Sequence, residues 1–206
     1  GKGSYSSGIG LITSQCYGTI SNCHINNSKL SIELNSNIGG IAGITCGQII
    51  NCSVKNSQIK RSQLNSAITS IGIITGYLYN NGKIINCYSS NNTISTNITH
   101  NGGICGHSLN GTITNCYTHS NNNVKGEIIG YGNKATVTNS YCDKAPLINE
   151  DNDNCVTKGN YKYNENFTAT SNDTPIHELL NQWIGNDTTY LQWKADTTLP
   201  AVFITQ

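Results

Sequence analysis

Charged residues are scarce in this chain of 206 residues. Asp, Glu, Lys and Arg together make up 11% of it, and the formal net charge is +1. Binding to nucleic acid or to an anionic membrane surface needs a dense positive patch, so neither is an expected partner. Arg61 is the only arginine, which leaves little scope for a bidentate clamp on phosphate or carboxylate groups.

Long apolar runs and paired carboxylates are also missing. No run approaches the roughly 20 residues of a membrane-spanning helix, so no membrane span is predicted. Before Asp143 the only acidic residues are Glu33 and Glu127, far apart in the sequence. Glycoside hydrolysis uses two carboxylates within about 10 Å of each other, and a zinc site needs a compact set of ligands. We therefore predict a protein that is not an enzyme and has no metal or other cofactor.

One phrase of six residues recurs along the first two thirds of the chain. It runs Gly-x-Ile-x-Asn-Cys, and a fifth, altered copy has Ser140 in place of the Cys. The final residues of successive copies are 29, 35, 29 and 24 residues apart. A spacing in this range is typical of solenoids and other repeat arrays. The four close copies end at Cys23, Cys52, Cys87 and Cys116.

Two other short phrases accompany each copy in a constant order. A Gly-apolar-apolar-Gly/Thr phrase precedes it, and an aliphatic residue such as Leu30 or Ile59 follows seven or eight positions after the Cys. These pieces are rich in β-branched residues and bounded by Gly, Asn and Ser, which is typical of short strands. We therefore predict an all-β fold over residues 1–145, a parallel β-solenoid of about five coils with three short strands per coil.

Alternation along the phrase predicts which side chains point inward. The Asn before each Cys is polar in every copy, and Asn tolerates the left-handed backbone conformation. It is expected either to form a corner ladder, with stacked amides bonded from coil to coil, or to face solvent. The predicted core ladder is Ile20, Cys23, Ile49, Cys52, Ile84, Cys87, Ile113, Cys116 and Val137. The predicted Asn ladder is Asn22, Asn51, Asn86, Asn115 and Asn139.

Nine cysteines and several glycosylation sequons bear on the cellular compartment. The cysteines of the repeated phrase share one repeat position, which favours small buried side chains over disulfide partners. Cys16 and Cys46 lie outside that column at equivalent places in adjacent repeats, so they are the candidate disulfide. If the protein is secreted, corner asparagines can carry glycans. The candidate glycosylation sites are Asn26, Asn91, Asn97 and Asn110.

Residues 146–206 differ in character and are predicted to form a connector and a C-terminal cap. Thr174 and Pro175 are typical of a helix start, with Thr as the capping residue, and Gly185 of a helix end. Segments 190–193 and 199–203 are predicted to pair as strands. The last coil of a solenoid exposes apolar core and strand edges, so this tail is expected to cover it. The predicted cap residues are Ile176, Leu179, Leu180, Trp183 and Trp193.

The order of these phrases resembles the GLUG-repeat proteins of bacterial and protist surfaces. The resemblance covers residues 8–145 and the tail, and it implies a large secreted or surface protein, often adhesin-like. In that family the repeats are β-solenoid scaffold and carry no catalytic residues. The resemblance rests on Gly40-Ile-Ala-Gly43 and Gly103-Ile-Cys-Gly106, each followed by the Gly-x-Ile-x-Asn-Cys phrase, and on Trp183, Trp193 and Leu199-Pro200.

Together these features predict an extracellular or cell-surface structural protein, either a filament subunit or an adhesin-like scaffold. The chain enters its first repeat by about Ile9 with no cap before it. That start favours end-to-end self-association, or contact with other surface proteins or glycans, by strand addition. The alternative is a carbohydrate- or ligand-binding module. Its stacking residues would be Tyr17, Tyr88, Tyr117 and Tyr141.

Overall fold

The fold is the predicted parallel β-solenoid, accompanied by a C-terminal segment with one helix. Each strand of a coil pairs with the strand at the same position of the next coil, and this stacking builds five parallel sheets. The computed structural model describes residues 7–33, 36–62, 70–95, 100–143, 162–163, 169–171 and 173–204.

The strands are short, and most have three or four residues. The first coil has β1 (Gly8–Gly10), β2 (Thr13–Cys16), β3 (Thr19–Ser21), β4 (His24–Asn26) and β5 (Lys29–Ile32). The second has β6 (Asn37–Gly39), β7 (Ala42–Thr45), β8 (Gln48–Ile50), β9 (Ser53–Lys55) and β10 (Gln58–Arg61). The third has β11 (Ser70–Gly72), β12 (Thr75–Tyr79), β13 (Lys83–Ile85), β14 (Tyr88–Ser90) and β15 (Thr93–Ser95).

The last two coils contain fewer strands among the described residues. The fourth has β16 (His100–Gly102), β17 (Cys105–Leu109), β18 (Thr112–Thr114) and β19 (Tyr117–His119). The fifth has β20 (Ile129–Asn133), β21 (Thr136–Thr138) and β22 (Tyr141–Cys142).

Each of the first three coils has five strands, whereas the sequence pattern predicts three. The additional boundaries between strands are tight corners of the chain. In the first coil Asn22 separates β3 from β4 with φ 55°, and Asn27 separates β4 from β5 with φ 52°. One residue in the left-handed conformation turns the chain sharply, so the predicted longer pieces are divided into shorter strands.

The bend between the first two strands of a coil depends on glycine. A Cβ on Gly72 would lie 1.9 Å from the Thr75 carbonyl oxygen and 2.6 Å from the Gly106 nitrogen. Both atoms belong to backbone and cannot give way, so only Gly fits there. This close approach explains the Gly that opens the Gly-apolar-apolar phrase.

The solenoid interior is a stack of aliphatic and Cys side chains. Within the predicted core ladder the middle coils are fully buried, and each Ile contributes roughly 1.5–3 kcal/mol by leaving water. Ile20, Cys23 and Val137 are only partly buried, because the end coils have a neighbour on one side. The fully buried members are Ile49, Cys52, Ile84, Cys87, Ile113 and Cys116.

The C-terminal segment contains the predicted helix and final strand pair. The helix α1 (Ile176–Ile184) ends at Gly185, which has φ 58°. Its start differs from the prediction, because Thr174–Pro175 pair with a neighbouring strand and no side chain caps the helix. Among the described residues, no helix has the length and apolar character that a membrane crossing requires. The strands are β23 (Lys162–Tyr163), β24 (Ala169–Ser171), β25 (Thr174–Pro175), β26 (Trp193–Lys194) and β27 (Val202–Phe203).

The buried face of α1 differs in part from the predicted cap residues. Ile176, Leu180 and Ile184 are buried at a spacing of four, which forms one stripe along the helix. Leu179 packs at the edge of this stripe. Trp183 lies outside it, is 37% exposed, and packs on Tyr190 with 5.0 Å between ring centroids. It therefore contributes little to the buried core of the segment.

The C-terminal segment lies along the side of the solenoid. Trp193 contacts the rings of Tyr88 and Tyr117 at 5.8 and 5.5 Å, and Phe203 contacts Tyr88 and, in the first coil, His24. The expectation that this segment covers the last coil is therefore wrong for these described residues. The physical reason is an apolar tyrosine column on the outer face of one sheet, which the segment removes from water.

Candidate functional site: corner ladders and coil ends

The five predicted asparagines form a continuous ladder at the corner after β3 and its equivalents. All five have positive φ, between 44° and 56°. From Asn51 onward, each Nδ2 donates to the Oδ1 of the Asn one coil earlier, at 3.1, 2.8, 2.7 and 2.6 Å in succession. The sequence predicts either a ladder of stacked amides or solvent-facing side chains, and the structure has the ladder. The left-handed backbone and the coil-to-coil amide bond together make Asn the residue that fits this corner.

Two of these amides also bind the C-terminal segment. Asn51 Nδ2 donates to the Thr189 carbonyl at 2.9 Å, and its Oδ1 accepts from the Leu191 N–H at 3.1 Å. Asn86 donates to the Leu191 carbonyl at 2.9 Å and accepts from the Trp193 indole N–H at 2.7 Å. The stacked amides thus offer alternating donors and acceptors to an extended chain, as the edge of a β-strand does.

From the second coil onward, the residue after each ladder Asn makes a repeated pair of hydrogen bonds, one to the coil before and one within its own coil. Cys87 Sγ accepts from the Cys52 N–H at 3.3 Å and donates to the Ile85 carbonyl at 3.2 Å. In the fifth coil Ser140 Oγ does the same, accepting from Cys116 N–H at 3.2 Å and donating to a carbonyl at 3.0 Å. Burial raises the pKa of the Cys87 thiol, which keeps its proton available for donation. The Cys of the repeat is therefore a small group that both donates and accepts.

Replacing Cys87 by Ala is expected to destabilise the protein by about 2 kcal/mol, because the buried N–H of Cys52 loses its acceptor. Cys87→Ser is expected to cost about 1 kcal/mol or less, because a hydroxyl can make both bonds, as Ser140 does. Urea unfolding of the two variants beside the parent measures the difference. Equal losses for Ala and Ser would contradict this role for the thiol.

A second ladder of corners, which the sequence analysis missed, lies five residues after the first. From the second coil onward, each left-handed residue is followed by a side chain that accepts a backbone N–H from the coil before. Ser57 Oγ accepts from Ser28 N–H at 3.1 Å, and Asn92 Oδ1 accepts from Ser57 N–H at 2.9 Å. The signal in the sequence is an Asn-Ser, Asn-Asn or Ser-Asn pair after each Asn-Cys pair. The left-handed residues are Asn27, Asn56, Asn91 and Ser120.

The predicted Cys16–Cys46 disulfide is wrong, since both thiols are free. The register pairs Cys16 with Thr45, the last residue of β7, so Cys46 lies one residue beyond the end of that strand. Neighbouring residues of a strand point to opposite faces. Cys16 accordingly lies in the solenoid core, whereas Cys46 is partly exposed.

The four tyrosines predicted as stacking residues do not form a common platform. Tyr88, Tyr117 and Tyr141 are aligned by register, but all three are buried beneath the C-terminal segment. Tyr17 follows β2 in the first coil and is 73% exposed. The prediction failed because the segment that covers the column is distant in sequence.

Another aromatic column lies on the outer face of β12, β17 and β20. Tyr77, His107 and Tyr131 are aligned by register, with ring centroids 4.8 and 5.0 Å apart. Burial, with a smaller effect of His100, lowers the pKa of His107 to about 4. Because these rings pack on one another from coil to coil, their main effect is to stabilise coil stacking.

Three of the four candidate glycosylation sites lie on the surface. Asn26, Asn91 and Asn110 are exposed, and the Oδ1 of Asn26 accepts a hydrogen bond from Asn56. Asn97 lies outside the described residues. A glycan could therefore be attached at these three side chains, and glycosylation stays a prediction that mass spectrometry of the protein can test.

The two ends of the ladders differ. At the first coil, no described residue accepts from Asn22 Nδ2 or donates to Cys23 Sγ, the two groups that would meet a preceding coil. At the fifth coil, Tyr141 Oη donates to Asn139 Oδ1 at 2.8 Å, where the amide of a further coil would donate. The Ser120 N–H of the fourth coil donates to the Asp143 carboxylate of the fifth at 2.6 Å, where earlier corners use a backbone carbonyl of the next coil. The first coil thus presents an open donor and an open acceptor, whereas at the fifth coil a side chain already binds the ladder oxygen.

Every strand of the first coil is an edge strand of its sheet. The Gln48 N–H donates to the Gly18 carbonyl at 2.8 Å, so alternation directs the N–H and carbonyl of Thr19 away from the second coil. Leu11 and Ile12 are also exposed here, at 40% and 50%. The first coil therefore combines open backbone groups with apolar surface.

The described residues hold no group of three or more His, Cys, Asp or Glu side chains that could bind a metal ion. The chain was also compared with protein-family models, with curated proteins and with solved structures, and none of the three comparisons gave a match. Function is therefore inferred from the geometry of the ladders and of the coil ends.

Proposed function

We propose that this chain is a structural scaffold module of an extracellular or cell-surface protein that assembles by stacking on its first coil. The observation that carries the proposal is the open hydrogen-bonding pattern at Asn22 and Cys23. Between internal coils the same two positions make the amide bond and the N–H to sulfur bond. A second coil that approaches this end can therefore continue both ladders and pair with five edge strands.

The difference between the ends supports the geometry of assembly. At the other end the Asn139 Oδ1 accepts from Tyr141 Oη at 2.8 Å, and an amide oxygen has a second lone pair that a further amide can use. Contact between two first coils is isologous and brings Asn22 Nδ2 against a second Nδ2 and Cys23 Sγ against a second Sγ, so neither ladder continues. A head-to-tail contact instead brings Asn22 Nδ2 to the Asn139 Oδ1 of another copy and extends the amide ladder. We therefore favour a head-to-tail filament over an end-to-end dimer. The resemblance to adhesin-like GLUG repeats is consistent with a scaffold role, and family membership stays a prediction.

Replacing Thr19 by Pro tests the stacking surface. Alternation directs two backbone donors of β3 away from the second coil, those of Thr19 and Ser21. The substitution removes the first of them, and no internal bond of the strand depends on it. We expect the association constant between copies, measured by sedimentation velocity over a wide concentration range, to weaken about fivefold or more. Thr19→Lys is the matched control, because Lys83 occupies the same register column in the third coil and the N–H is kept.

Three outcomes contradict the proposal in different ways. A parent protein that stays monomeric at the highest concentration removes self-stacking. Equal association of the Pro and Lys variants removes the first coil as the contact surface. Association that stops at a dimer supports a contact between two first coils instead. Thermal unfolding monitored by circular dichroism checks that both variants keep the parent fold.

A further inference from the structure

A cavity of about 430 Å³ opens beside the C-terminal end of α1, on the segment that lies along the solenoid. Its walls are formed by residues 185–188 and 190–192 together with Ile204. Neither the core of the solenoid nor the coil ends contributes to it. Whatever this cavity binds is therefore independent of the stacking proposed above.

The only charged side chain of the cavity wall is Asp187. Its Oδ1 accepts a hydrogen bond from the Thr189 N–H at 2.9 Å, and bonds from the Thr189 backbone and hydroxyl lower the pKa of this carboxyl group. It is therefore ionised at neutral pH. No ion pair joins it to a cationic side chain among the described residues. The wall thus offers one negative charge that the described protein does not neutralise.

The end of α1 adds to the negative potential. The carbonyl groups at a helix C-terminus carry the negative end of the helix dipole, which cationic side chains often balance. The last turn of α1 contains no basic residue. Gly185, the first residue beyond the helix, is part of the cavity wall, so the uncompensated helix end lies at the site.

Three residues of the wall can pack around the apolar groups that surround a positive charge, beside the polar residues Asn186, Thr188 and Gln192. The ring of Tyr190 lines the cavity and is packed against Trp183 on another side. Leu191 and Ile204 add aliphatic surface. Aromatic faces attract cations through the ring quadrupole. A primary ammonium would need several acceptors to replace its strong hydration, whereas methyl groups on nitrogen fit aromatic and aliphatic walls.

We propose that this cavity binds the quaternary ammonium group of a small molecule, with Asp187 as the counter-charge and Tyr190 as the aromatic wall. The positive charge faces the carboxylate and the helix end, and the methyl groups contact Tyr190, Leu191 and Ile204. Such a site would let the module attach to a ligand of choline type while the coils provide the scaffold.

Choline titration followed by NMR tests the proposal on the full chain. We expect a dissociation constant of roughly 1–10 mM, as suits a small ligand in an open cavity. The indole N–H signal of Trp183, behind Tyr190, should shift, and that of the buried Trp193 should not. The neutral analogue 3,3-dimethylbutan-1-ol has the same shape without the charge, and it should bind at least about fivefold more weakly.

Asp187→Asn removes the charge but keeps an oxygen that can accept from Thr189, so the turn should persist. We expect it to weaken choline binding about fivefold. Asp196→Asn is the matched control, because Asp196 makes the same bond to the Thr198 N–H at 2.8 Å but is not part of the cavity wall. No choline-dependent shift in the parent protein, equal binding of the neutral analogue, or unchanged binding by Asp187→Asn would each overturn the proposal.

Discussion

Replacing Asn86 by Ala is expected to lower the free energy of unfolding by about 4 kcal/mol. The buried amide donates to Asn51 and to the Leu191 carbonyl, and it accepts from Asn115 and from the Trp193 indole. Alanine removes all four bonds and leaves several groups without partners in the interior. It also costs about 1 kcal/mol in backbone energy, because φ is 54°. Urea unfolding followed by circular dichroism measures the loss.

Asn80 provides the matched control for this substitution. It has the same φ of 54° as Asn86, but its side chain is exposed. Asn80→Ala should therefore show only the backbone cost of about 1 kcal/mol. Asn86→Gly gives the complementary measurement, since glycine accepts the backbone conformation and removes only the amide. If Asn80→Ala and Asn86→Ala destabilise equally, the amide ladder contributes nothing measurable.

Replacing Trp193 by Ala is expected to destabilise the attachment of the C-terminal segment by about 4 kcal/mol. The side chain is 1% exposed, its ring centroid lies 4.2 Å from that of Phe203, and its indole donates to Asn86. The loss combines a large cavity with an unpaired acceptor. Because the segment lies on the side of the solenoid, we expect it to detach while the coils stay folded. Hydrogen exchange should then show faster exchange in residues 176–203 before the coils.

Trp183 is the control for this second substitution, as the other tryptophan of the chain. It is 37% exposed and contacts Tyr190, so Trp183→Ala should cost about 1 kcal/mol. Simultaneous loss of protection in the coils and in the C-terminal segment of Trp193→Ala would show that the two unfold as one unit. A small effect of Trp193→Ala, similar to that of Trp183→Ala, would contradict the importance of the tyrosine face.

The first corner was predictable because it repeats. Ile49 and Ile84 occupy the same place in successive copies, and a parallel solenoid gives such residues the same environment. Asn86 could be assigned to a corner for the same reason, since one polar residue recurs between two inward positions. Register was harder to predict. The structure pairs Gly10 with Gly39, whereas the phrase in the sequence suggests Gly40, because two adjacent glycines offer equal alignments.

The second corner was missed because its residues vary. Asn56 and Ser120 hold the same left-handed place, followed by Ser57 and Asn121. In each pair the second side chain accepts a backbone N–H of the coil before. The residue types differ, however, so the pairs cannot be aligned by sequence identity. The position of the C-terminal segment was not predictable for a different reason. Thr189 and Trp193 bind asparagines more than 100 residues earlier, and no repetition in the sequence signals a contact of that kind.

The bonds made by Cys87 and by Ser140 have a consequence for what selects the residue at this position. Cys16, Cys23, Cys46, Cys52, Cys87 and Cys116 are free thiols, and those of the repeat serve as hydrogen-bonding groups that serine can replace. The repeated cysteines therefore record the demand of a tight inner corner for a small side chain that both donates and accepts, and not a need for sulfur–sulfur bonds.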